Sequence, residues 1–208
     1  MEMVEVDGLR IGYVRSGEGP PLVLLHGYVG DGQTTWRRQI EEFDRDFTVV
    51  AWDAPGAGRS WDPPEAFGID GYADCLAAFI EVLGLERPHV VGLSFGGALA
   101  LALFRRHSAV PASLVLASAY AGWAGSLPAD VAQQRLGQAR ALADMSPEDL
   151  VAALLPTMFS AHVPRETVEE FASRIGATLP GPRRIDQAPV MDTVADSTPG
   201  GVSGPAAP

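Results

Sequence analysis

The chain has 208 residues, 47% of them hydrophobic, and a formal net charge of −11. That length accommodates one domain or a domain with a small subdomain, and that apolar content excludes general disorder. The acidic balance argues against nucleic acid and anionic membrane as partners. The single cysteine excludes a disulfide within the chain. Cys75 lies in the apolar run Cys75-Leu76-Ala77-Ala78-Phe79-Ile80; a buried inert thiol is expected there rather than a nucleophile. The start, Met1-Glu2-Met3-Val4-Glu5, has no apolar signal-peptide core, and no apolar run reaches membrane-spanning length. A cytoplasmic location is the resulting expectation. The basic residues are all arginine, and asparagine is absent as well. Both missing types, Lys and Asn, have A-rich codons, which points to GC-rich coding DNA.

In chain order, Met3 to Val6 and Leu9 to Val14 read as two short strands around an Asp7-Gly8 hairpin signal. Leu22 to Leu25 is a continuous apolar run, the pattern of a strand covered on both faces. Asp31 to Phe43 reads as a helix and Phe47 to Trp52 as the next buried strand. Asp70 is placed to cap a helix whose Leu76, Phe79, Ile80 and Leu83 recur at helical spacing, and Gly84 is placed to end it. Val90 to Leu93 is a strand, Gly97 to Phe104 a helix, and Leu114 to Ala117 another buried strand. Buried strands alternating with helices predict an α/β fold, a mostly parallel sheet with helices on both faces.

The pattern then changes. Pro128–Ala143, Pro147–Leu155 and Pro164–Ile175 read as three helices, a cap inserted after the strand at 113–118. From Gly181 to Pro208 there is no aromatic residue and no periodic apolar run, the composition of a disordered or out-of-frame tail. The expected divisions are a core over 1–120, a helical cap over 121–178 and a tail over 179–208.

The strongest chemical signal is Gly92-Leu93-Ser94-Phe95-Gly96-Gly97, between a strand and a helix. G-x-S-x-G in that setting is a nucleophile elbow: a turn so tight that the serine is strained and its hydroxyl stands clear at the helix N-terminus. The helix dipole there favours developing negative charge. Ser94 is the expected nucleophile. A second signal, Leu24-Leu25-His26-Gly27-Tyr28, ends an earlier strand. In the elbow architecture one oxyanion donor is the N–H after the nucleophile, here Phe95, and the other comes from this loop, here Tyr28. His26 is expected to brace the loop rather than act as a base. The third signal, Asp53-Ala54-Pro55-Gly56-Ala57-Gly58-Arg59-Ser60, fails as a phosphate-binding P-loop, because Asp53 and Arg59 stand where Gly and Lys are required.

With these three motifs in this order, the sequence resembles the α/β-hydrolase superfamily over roughly residues 3 to 176. The likeness is to small cap-bearing members such as 3-oxoadipate enol-lactonase-like hydrolases and carboxylesterases. The resemblance implies hydrolysis of an ester, lactone or similar acyl substrate, a small-molecule partner, and no cofactor or metal. It also excludes the haloalkane dehalogenase and epoxide hydrolase branch, which uses Asp where this chain has Ser94.

The same resemblance implies a triad acid and histidine later in the chain, and these are not found. No histidine follows His162, and Asp186, Asp192 and Asp196 lie in the Pro/Gly-rich tail rather than after an apolar strand. No residue is assigned as triad acid or base. His89 precedes its strand, at the sheet end opposite Ser94. His107 ends the helix that Ser94 begins, about 15–20 Å away at a rise of about 1.5 Å per residue. His162 is the one remaining candidate. The expectation is a serine hydrolase of impaired activity from a truncated or frameshifted reading frame. The alternative is a non-catalytic binding protein on the same scaffold or a non-functional fragment.

Overall fold

The computed structural model describes residues 1–178 apart from 65, 121 and 123–125. Six strands form one sheet: β1 (Glu2–Val6), β2 (Leu9–Ser16), β3 (Pro21–Leu25), β4 (Thr48–Trp52), β5 (His89–Leu93) and β6 (Ser113–Ala117). Their order is β1-β2-β4-β3-β5-β6. The β1–β2 and β2–β4 pairs are antiparallel, while β4, β3, β5 and β6 run parallel to one another. The hairpin is made by Asp7 and Gly8 at φ 48° and 82°, the left-handed pair that lets a two-residue turn follow the strand twist.

Six helices are described: α1 (Gly32–Phe43), α2 (Gly68–Val82), α3 (Phe95–Arg106), α4 (Ala129–Ala143), α5 (Pro147–Met158) and α6 (Arg165–Thr178). The period-2 alternation of the strands divides the core in two. Val23, Leu25, Val50, Trp52 and Val90 face α2 and α3 and meet Leu76, Phe79, Leu99 and Leu103. Leu22, Leu24, Val49 and Ala51 face the other way and meet Trp36 and Ile40 of α1. Helices therefore cover both faces, as the sequence predicts. The residues expected to lie in the tail, 179–208, fall outside the described residues.

Two expectations need correction. Asp70 does not cap α2: the helix starts at Gly68, and Asp70 sits in its first turn. Its carboxylate is taken instead by Arg105 at 2.5 Å and Arg106 at 3.2 Å, both from α3. Gly84 does end the helix, at φ 63°, with Leu85 N–H donating to Ile80 O and Gly84 N–H to Glu81 O, the pairing of a left-handed helix stop. The second correction concerns β6. Its apolar run predicts burial on both faces, yet Val115 is 53% and Leu116 43% exposed. Only Leu114 leans on the α2–α3 core, and α1 lies over β2, β3 and β4 rather than over β6.

The α2–α3 surface carries an ion-pair network. Arg106 donates twice to Asp74, at 2.8 Å each, and His107 Nε2 lies 2.7 Å from the same carboxylate. The Arg106 hydrogen bonds, outweighing desolvation, hold the Asp74 carboxyl below the usual carboxylate range. An acid depressed in the folded state adds stability above its unfolded pKa, about 3.9, and loses it as pH falls through the lower folded value. Because the pair is half exposed, the whole effect is at most about 1 kcal/mol. Asp74→Asn is therefore expected to be slightly destabilised at neutral pH. In thermal melts its deficit should vanish as pH drops below about 3.9. A deficit that grows on acidification would contradict this assignment.

Cys75 is buried in α2, and burial pushes its thiol up to about 12, which keeps it protonated and unreactive. No helix among the described residues is long and apolar enough to cross a membrane.

Candidate active site

β5 ends at Leu93 and α3 begins at Phe95, so Ser94 alone turns the chain from strand to helix. It does so at φ 52°, ψ −112°, a strained conformation for a residue with a Cβ. The turn is held on both sides. Ser94 N–H donates to Ala117 O of β6 at 2.9 Å, and Ser94 O accepts from Gly97 and Ala98 N–H at 2.9 and 3.1 Å. Two glycines make it sterically possible. A Cβ on Gly92 would collide with Gly96 O, and one on Gly96 would collide with Leu25 O and stand 2.6 Å from His26 O. The half-buried Ser94 side chain is thus presented at the α3 N-terminus, where the first N–H groups have no helical partner.

Phe95 supplies the first of those N–H groups. Its side chain is buried and meets the ring of Tyr72 edge-on at 5.7 Å. Tyr28, half-buried, follows β3 in the loop beside the turn; burial pushes its phenol up to about 12. Gly27 places that loop: a Cβ built on it would stand 3.8 Å from Ser94 Cβ and 3.7 Å from Leu93 O. The fold therefore brings the His26-Gly27-Tyr28 segment against the Ser94 turn.

The histidines are occupied elsewhere. His26 is buried, with Nδ1 2.6 Å from Gly27 O and Nε2 accepting from Ala54 N–H at 3.0 Å. Burial lowers its pKa, against the opposing pull of Gly27 O, Asp53 and Asp31, so the ring is neutral. His89 opens β5, at the far end of the strand from Ser94, and its Nδ1 lies 2.8 Å from Ser113 Oγ. His107 closes α3 and pairs with Asp74. His162 is exposed in the turn between α5 and α6. Among the described residues no cluster of three His, Cys, Asp or Glu side chains is arranged to hold a metal ion.

Sequence reasoning missed one group. The Asp53 carboxylate is buried and accepts from Gly32 N–H at 2.9 Å and Arg59 N–H at 3.1 Å. Desolvation raises its pKa, partly offset by those two N–H groups. Ser60 Oγ donates to Asp53 O at 2.6 Å and accepts from Gly12 N–H at 2.9 Å. The Asp53-to-Ser60 segment is a lock joining β2, the loop after β4 and the start of α1. Its signal in the sequence was an aspartate ending a buried strand ahead of closely spaced glycines.

A family model described as the alpha/beta hydrolase fold matches residues 20–190. A 2-hydroxymuconate semialdehyde hydrolase of Pseudomonas sp. (strain CF600) is 37% identical over 113 residues, covering 52% of this chain and 40% of the relative. A soluble epoxide hydrolase of Corynebacterium sp. (strain C12) is 36% identical over 95 residues, covering 46% and 33%. Among solved structures, a thermophilic esterase from Thermogutta terrifontis superposes with a TM-score of 0.78 at 26% identity, over 95% of this chain and 75% of that one. The chain spans well under half the length of these curated relatives, 40% of one and 33% of the other.

Proposed function

The chain belongs to the α/β-hydrolase fold family, and on that premise we propose that it carries the nucleophile and oxyanion half of a serine hydrolase acting on an ester, lactone or similar acyl substrate. The observation behind this reading is the strained Ser94 turn, φ 52°, at a helix N-terminus beside the Gly27–Tyr28 loop. A strained residue persists only where its surroundings enforce it, and such residues cluster at reacting centres. In this reading Ser94 Oγ attacks the acyl carbon, and its proton passes to a base. The carbonyl oxygen becomes an oxyanion held by the Tyr28 and Phe95 N–H groups. Collapse of the tetrahedral intermediate expels the alcohol and leaves an acyl-serine for water to release. The substrates named for the relatives, a semialdehyde of the muconate type and an epoxide, are theirs. Serine rather than aspartate at position 94 favours acyl over epoxide chemistry here.

A second reading has its own support. His26, His89 and His107 are each engaged away from Ser94, so the described residues offer no oriented base. A pocket kept for binding without turnover is consistent with that. A fluorophosphonate probe separates the two. Stoichiometric labelling that Ser94→Ala abolishes supports an activated nucleophile, and a folded sample left unlabelled supports the binding reading. Without base and acid, p-nitrophenyl acetate turnover should remain near the residual about 10³–10⁴-fold over water that an oxyanion site alone supplies.

A further inference from the structure

The ring of His26 is tied at both nitrogens, and the tie determines its tautomer. Ala54 N–H can only donate, so Nε2, 3.0 Å away, is an acceptor and carries no hydrogen. The neutral ring then bears its one hydrogen on Nδ1, which donates to Gly27 O at 2.6 Å. Burial below the ordinary histidine pKa keeps the ring in this neutral form. The partner of that bond matters more than its length. Gly27 C=O and Tyr28 N–H belong to one peptide unit, which is planar and trans, so the two groups point in opposite directions. Whatever pins the carbonyl also aims the N–H.

From this we infer that His26 is a positioning residue for the acyl reaction: by holding Gly27 O it aims the Tyr28 N–H away from itself and into the space beside Ser94. The inference rests on the reading of Tyr28 as an oxyanion donor. Three features on the page support it. Gly27 lies against the Ser94 turn, within ordinary contact of where a Cβ would meet Ser94 Cβ at 3.8 Å. Glycine has the widest backbone freedom of any residue, so this peptide has most need of an external restraint. The second tie, Ala54 N–H to Nε2, anchors the ring to the loop after β4, itself locked by Asp53 and Ser60. The histidine thus transfers the rigidity of the sheet to one peptide plane.

Two substitutions separate the ties. In His26→Asn the side-chain amide reaches the Nδ1 position and can still donate to Gly27 O, while the Ala54 bond is lost. In His26→Gln the side chain reaches the Nε2 position and can still accept from Ala54, while the Gly27 bond is lost. With the full chain and a fluorophosphonate probe, His26→Gln should lower the maximal labelling rate constant at least about tenfold, within the 10²–10³ seen for outright removal of an oxyanion donor. Its probe affinity should be unchanged. His26→Asn should label within about threefold of the parent chain, although both variants lose thermal stability. Equal labelling by both variants, or losses that simply track the two melting temperatures, would overturn the inference.

If the parent chain itself is not labelled, the acyl-transfer reading fails, and the positioning claim is then read directly from the Tyr28 amide by ¹⁵N relaxation dispersion. Exchange broadening in His26→Gln but not in His26→Asn supports it. An amide that behaves identically in both variants overturns it.

Discussion

Replacing Gly96 with alanine is expected to lower the melting temperature by roughly 6–12 °C and to cut Ser94 labelling about 100-fold. The added Cβ would meet Leu25 O and stand 2.6 Å from His26 O and 2.7 Å from Leu25 C, all backbone atoms at the end of β3. No rotamer change relieves a clash between two backbones, so the first turn of α3 must move off the sheet. Overpacking of this kind costs about 3 kcal/mol or more, and in a chain of this length each kcal/mol shifts the melting temperature by about 2–4 °C. The same displacement carries Ser94 and the Phe95 N–H away from the Gly27–Tyr28 loop, and an error of about 1 Å in such a constellation can reduce rate about 100-fold. Gly137 supplies the contrast. It is exposed in α4 with nothing within 4 Å of a built Cβ, so Gly137→Ala should stabilise by about 0.5–1 kcal/mol. A Gly96→Ala chain that melts and labels like its parent would mean that the close approach of α3 to β3 is not what shapes the turn.

The second large effect is expected at β6. Its inner edge pairs with β5 from Ser113 to Ala117, and no described strand pairs with its outer edge. Val115 and Leu116 are 53% and 43% exposed, on opposite faces of the strand, and the segment Ser113-Leu114-Val115-Leu116-Ala117 carries neither charge nor proline. Protected edge strands use Lys, Pro or a bulge to prevent another strand from docking. The 208-residue chain should therefore self-associate with rising concentration and bind a hydrophobic dye strongly. Val115→Lys should restore a monomer and quench most of the dye signal, because a lysine on an edge strand opposes pairing at little loss of buried area. Size-exclusion chromatography with light scattering reads both outcomes. A monodisperse, dye-silent parent chain would show that this edge is covered.

The element order and the reactive turn were legible from the sequence because their signals are local. Continuous apolar runs at 22–25, 47–52 and 90–93 mark strands covered on both faces. The 3.6-residue spacing of Leu76, Phe79, Ile80 and Leu83 marks the helix between them. A serine bracketed by Gly92 and Gly96 at a strand-to-helix junction marks a turn that no bulkier pair could make. Phe95 and Tyr28 followed from the architecture that turn implies, so the candidate site was named before its parts were seen together.

Tertiary structure decided what depends on partners distant in sequence. Asp70 looked like a cap, but two α3 arginines compete for its carboxylate, and a charged donor outbids a helix end for an acid. Leu114 to Ala117 looked buried, but burial belongs to whatever lies alongside a strand, and no apolar run encodes its own neighbours. The Asp53 lock and the His26 tautomer were invisible for the same reason. Each is set by backbone N–H groups of Gly32, Arg59 and Ala54, and every residue but proline has one, so side-chain identity carries no signal of where those donors will be brought.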